Sequence, residues 1–136
     1  MAEYREGFNP VSYYEIYDYK DLAAKISTDP LTPEGITQFL EANRIDYEMD
    51  STNSEGWGES VAPVAPGHFR IGIGSSTQDQ REITWLHELG HLIYRAGGTF
   101  RQPHHNYMES LLESEATRFR EDHPQFVQEA YLKYVR

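Results

Sequence analysis

Residues 83–93 constrain this chain more than any other stretch. Ile83, Leu86, Leu89, Leu92 and Ile93 recur at the spacing of one helix face, with His87 and His91 set among them. The pattern predicts a buried or half-buried α-helix. At about 3.6 residues per turn, positions four apart share a face, so both imidazoles can offer a nitrogen to a single ion. Glu88 is turned by about 100° from His87. It is too close to the pair for solvent decoration and badly aimed for a ligand; it suits a base that takes a proton from an activated water. Two histidines and a carboxylate on a buried helix are costly unless something satisfies them, and a divalent cation does so. A metal site is therefore favoured over two satisfied core histidines.

The chain of 136 residues contains no cysteine. It is long enough for one domain with its own core, and any zinc must be held by histidine and carboxylate, because a thiolate site is impossible. Absence of cysteine also suits a reducing compartment. A net charge of -10, from 22 acidic and 12 basic residues, argues against direct nucleic-acid binding, which needs clustered Lys and Arg. Residues 1–6 show no basic region leading into an apolar core, and no run approaches the ~18 apolar residues of a membrane helix. The expectation is a soluble cytoplasmic protein with no membrane association.

Along the chain, Tyr4, Tyr13, Tyr14, Tyr17 and Tyr19 crowd a segment whose periodicity predicts an amphipathic helix over residues 12–27. Its aromatics read either as core packing or as a docking surface for a partner. Thr32 as cap with Pro33 at the first helical position starts a second helix, ending near Asn43. Ile45, Tyr47 and Met49 alternate with polar residues as a half-buried strand, followed by a polar loop over residues 50–60 around Trp57, which lines a groove or anchors the surface. Pro63 and Pro66 break the next segment before a second strand over residues 68–72, in which His68 is read as exposed. Thr77 with Gln80, or Asp79 with Glu82, caps the histidine helix, and Ala96-Gly97-Gly98 ends it. Asn106 with Glu109 caps another helix along Leu111, Leu112, Ala116 and Phe119. After a break at residues 122–124, Phe126, Val127, Ala130, Tyr131 and Tyr134 line a last helix. The fold class is α+β: one compact domain over residues 1–136, with a small, mostly antiparallel sheet packed on the histidine helix and further helices around it. Residues 1–30 form its tyrosine-rich start, 31–120 its core and 121–136 its closing helix.

A catalytic zinc site takes three protein ligands and keeps one position open. The helix after Asn106 offers Glu109, Glu113 and Glu115; Glu113 has the small Ala116 three places on, which lets two helices approach closely. His104, His105 and Tyr107, between the two helices, are candidate donors to a developing oxyanion or simply solvated loop residues.

Residues 77–94, read with Glu113-Ser114-Glu115-Ala116-Thr117-Arg118-Phe119, resemble the ImmA/IrrE-type zinc metallopeptidases, a branch of the gluzincins. The resemblance covers residues 32–120 and implies a zincin-like fold. It also implies one Zn²⁺ per chain held by His87, His91 and Glu113, with Glu115 as the alternative ligand and Glu88 as general base. The implied substrate is a protein, such as a helix-turn-helix repressor or antitoxin-like partner, lying extended against the strand at residues 70–73. The chain departs from the family pattern at Thr117, where an Asn or Asp usually steers a zinc histidine, and at Arg120-Glu121-Asp122-His123, where an apolar run usually follows. Two other readings compete: a zinc-containing module that binds a partner without cutting it, and a metal-free interaction protein working through its tyrosine-rich start.

Overall fold

The structure is a computed structural model that describes residues 14–49, 61–74, 77–97 and 105–135. Among the described residues, five helices pack with a three-stranded mixed sheet. Asp18 caps α1 (Tyr19–Thr28) by accepting the Lys20 N–H, and Thr32 caps α2 (Pro33–Ala42) by accepting the Gly35 N–H, with Pro33 in the first turn and Asn43 closing the helix. Capping at Asp18 corrects the expected first helix. It starts at Tyr19, and just before it Ile16 makes a parallel bridge to Ala96, residues 12–13 of the expected helix lying outside the described residues.

The strands are β1 (Arg44–Met49), β2 (Val61–Ala65) and β3 (His68–Ile73), in the spatial order β1-β3-β2. β1 runs parallel to β3, and β2 antiparallel to it. The expected mostly antiparallel sheet is thus mixed, because the chain after β1 passes to the far side of β3 and returns through a tight turn at Pro66 and Gly67. Gly67 takes φ 74, the left-handed position that a turn with proline first demands of its second residue. The expected break at Pro63 is instead part of β2: an edge strand has one row of ungiven N–H groups, so proline's missing donor costs little there, and the register slips between Pro63 and Ala65. β3 is the central strand: β1 pairs with it along residues 68–73 and β2 along residues 68–71, so among the described residues the outer edges belong to β1 and β2.

Phe69, Ile71 and Ile73 of β3 face α3 (Gln78–Ile93), whose cap is Thr77, accepting the Gln80 N–H at 3.2 Å. The alternative cap residue Asp79 instead pairs with Arg120, whose guanidinium also holds the buried Glu82 at 2.8 Å. α4 (His105–Asp122) packs along α3, and α5 (Pro124–Tyr134) closes the core with Val127, Ala130 and Tyr131. α4 begins at His105, so Asn106 lies inside its first turn and not at the cap. Gly90 permits the close approach of the two long helices: a Cβ there would stand 3.1 Å from Leu112 Cδ2. Trp85, at the sheet side of α3, donates from its indole to Tyr47 Oη at 3.0 Å and meets the Tyr131 ring edge-on, while burial pushes the Tyr47 phenol up to about 12. Every residue from Trp85 to Leu92 is buried, so the histidine helix is enclosed on all sides. No helix among the described residues is long and apolar enough to cross a membrane.

Candidate metal centre

Helical spacing brings His87 and His91 together as the sequence predicts: the ring centroids are 5.2 Å apart, and both side chains are almost fully buried. The carboxylate that joins them is Glu109. Its Oε1 lies 2.7 Å from His87 Nε2, and its Oε2 lies 3.2 Å from His91 Nε2. One ligand atom from each of His87, His91 and Glu109 falls within 4.8 Å of the others, the only such group of three among the described residues.

Glu113, the ligand expected from the resemblance, is placed elsewhere. Its Oε1 accepts from the far nitrogen of His87, Nδ1, at 2.8 Å, and its side chain is half exposed at the rim. The reason is the rotation of α4: Glu109 and Glu113 are one turn apart on one face, so they clasp the same imidazole from its two sides. Glu115 points away from the pair. Buried, it accepts the Leu31 N–H at 2.8 Å and two bonds from Arg118, fastening α4 to the start of α2. Thr117 steers neither histidine, since both outer nitrogens are already engaged: His87 Nδ1 by Glu113 and His91 Nδ1 by the Ala96 carbonyl at 2.8 Å. A carbonyl only accepts, so His91 Nδ1 carries a proton and its Nε2 faces Glu109.

Of the oxyanion candidates, His105 lies one turn before Glu109, with Nε2 at 4.0 Å from Glu109 Oε2. Tyr107 is turned onto Tyr19, ring centroids 5.2 Å apart. His104 lies outside the described residues, as does Trp57. His68 is not simply exposed; it bonds Asp46 across the sheet at 2.7 Å.

The electrostatics follow from burial. Desolvation opposes a charge on His87, but the carboxylates of Glu109 and Glu113, with Glu88 adding its field, outweigh it and push the imidazole up to about 10. Burial likewise opposes charge on Glu109, yet its bonds to His87 and His91 hold it well below the usual carboxylate range. Glu88 is completely buried beside them. The fit to a divalent cation is good on the chemistry of the donors: two imidazole Nε2 atoms and one carboxylate converge, and a carboxylate and a backbone carbonyl hold the outer nitrogens. Glu109, one of the three carboxylates the sequence offers, was passed over for Glu113, and the Ala96 carbonyl was missed. The first had a signal, the four-residue spacing of Glu109 and Glu113 that mirrors His87 and His91; the second is backbone and has none. No protein-family model, curated protein or solved structure matches the chain.

Proposed function

We propose that the chain is a zinc-dependent metalloendopeptidase of zincin-like type, with His87, His91 and Glu109 holding the ion, and Glu88 as the general base. The observation that carries this reading is the convergence of His87, His91 and Glu109 within 4.8 Å on two packed helices, with a buried carboxylate at the position after the first histidine. When bound, zinc supplies Lewis acidity that makes water nucleophilic near neutral pH and polarises a carbonyl. Glu88 accepts the proton of the attacking water and returns it to the leaving nitrogen. Glu113 keeps His87 turned with Nε2 inward by accepting from Nδ1, and Ala96 does the same for His91. His105, near Glu109, is the described residue best placed to meet a developing oxyanion. The surrounding apolar residues, Leu86, Leu89 and Leu112 among them, keep bulk water from the pair.

The proposed substrate is a separate protein with a basic, helix-turn-helix repressor-like surface, which the net charge of -10 suits, and the proposed compartment is the cytoplasm. Elemental analysis combined with substitution tests the whole reading. Wild type should hold about one zinc per chain and cut a basic helix-turn-helix repressor supplied as substrate. Glu88→Gln should keep the zinc and lose at least ~100-fold in cleavage rate. Glu109→Ala should lose the metal, whereas Glu113→Ala should keep it at about 10–100-fold lower affinity. Loss of metal in Glu113→Ala but not in Glu109→Ala would restore Glu113 as the ligand. Full zinc with no cleavage of any such repressor would make the chain a zinc-stabilised binding module instead.

A further inference from the structure

The turn that ends α3 is joined to the metal centre from one side and to the start of the chain from the other. Tyr94 closes the helix, and Arg95 takes φ 54, a left-handed conformation in which its N–H reaches Leu92 O at 3.2 Å and the Ala96 N–H reaches His91 O at 3.0 Å. Ala96 is thereby tied to His91 twice, since its own carbonyl accepts from His91 Nδ1 at 2.8 Å. A carbonyl can hold an imidazole only if its own peptide plane is held. Here the restraint comes from residues 14–16. Arg95 O accepts from Glu15 N at 2.8 Å and Ile16 N at 3.0 Å, and Gly97 N donates to Ile16 O at 3.0 Å, so the backbone is bonded on both sides of the Ala96 carbonyl. The contact is also close. A Cβ on Gly97 would lie 2.8 Å from Tyr14 Cδ1, and Glu15 pairs with Arg95 at 3.2 Å.

We infer that residues 14–16 are a positioning element for the metal centre: by pairing with the turn at residues 95–97 they hold the Ala96 carbonyl against His91, and so set the affinity for the ion from outside its ligands. This rests on the metal reading of the site. Without the pairing, the peptide between Ala96 and Gly97 is free to rotate, the Nδ1 proton loses its acceptor, and the ring is no longer held with Nε2 inward. Groups that orient a metal histidine in this way contribute about 10–100-fold in affinity. The coupling is reciprocal, so an ion on His91 must also tighten residues 14–16.

The test compares wild type, Gly97→Ala and Tyr14→Ala/Gly97→Ala in the full chain. Gly97→Ala drives a methyl into the Tyr14 ring; the second substitution makes room for it. Nitrogen NMR of the ring in metal-free protein should find the His91 Nδ1–H hydrogen-bonded in wild type, released in Gly97→Ala, and hydrogen-bonded again in the double variant. Competition with a chelator should show zinc held ~10-fold more weakly by Gly97→Ala and regained by the double variant. In wild type, adding zinc should slow hydrogen exchange at the Ile16 and Gly97 amides, a readout that needs no variant to fold. An unchanged Nδ1 hydrogen bond and affinity in Gly97→Ala, no recovery in the double variant, or exchange at those amides indifferent to zinc would each overturn the inference. A wild type that takes up no zinc sinks the metal reading itself, and the Nδ1 hydrogen-bond comparison made without zinc still decides whether residues 14–16 hold His91.

Discussion

His87 carries a proton between two carboxylates, and a cation that uses its Nε2 has to displace that proton. Its pKa, pushed up to about 10, keeps the ring charged across the neutral range, so each ion bound releases a proton. Zinc affinity should therefore rise about tenfold per pH unit between pH 6 and 8 when measured in a non-coordinating buffer. A flat profile would mean that the ring is neutral before the ion arrives. The sign for the metal-free fold is opposite. A histidine raised from about 6.5 to about 10 contributes stability that is complete below pH 6.5 and lost as pH rises towards 10, so the denaturation midpoint of metal-free protein should fall over that window. At this scale, the histidine pair was legible in the sequence because four-residue spacing on a helix has one geometric meaning. The carboxylate that converges on them was not: which of Glu109, Glu113 and Glu115 faces α3 depends on the rotation of α4 about its axis, which is set by packing at Gly90 and Leu112 and not by the motif.

Element boundaries were legible where a side chain caps them and obscure where backbone does. Thr32 and Thr77 start their helices as read, each accepting an N–H three residues on. The end of α3 was placed at the glycines, yet the left-handed residue is Arg95, a non-glycine in a conformation that costs about 1 kcal/mol. Arg95→Gly should raise stability by about 0.5–1 kcal/mol, read as a melting temperature ~2–4 °C higher, because the ion pair to Glu15 that it gives up is between half-exposed groups. A lower melting temperature would mean that the pair outweighs the backbone strain. β2 escaped the reading because Pro63 is a breaker in a central strand but an ordinary residue on an edge, and strand order is not written in local sequence.

Across the whole molecule, two arginines fasten α4 to distant parts of the chain. Arg120 reaches Asp79 and Glu82 on α3, and Arg118 with Glu115 reaches Leu31. Glu115→Ala leaves the buried Leu31 N–H without its acceptor, while Arg118 keeps Asp122 and the Leu31 carbonyl, and should cost about 1–3 kcal/mol in chemical denaturation while zinc content stays at the wild-type level. Loss of zinc without loss of stability would return Glu115 to the ligand set. The α+β class was legible from alternating strand and helix periodicities; the mixed sheet was not, since it depends on which side of β3 the chain returns to. That return also sets an order of assembly. β2 and β3 meet across a two-residue turn at Pro66 and Gly67, whereas β1, whose one strand neighbour among the described residues is β3, is separated from it by a far longer stretch of chain. The hairpin is therefore the nucleus and β1 the late arrival: Gly67→Ala should slow refolding, and Tyr47→Ala should chiefly speed unfolding, in stopped-flow kinetics. A chain caught midway would present the unclaimed edge of its central strand to its neighbours, which makes this passage the moment at which it is most prone to aggregate.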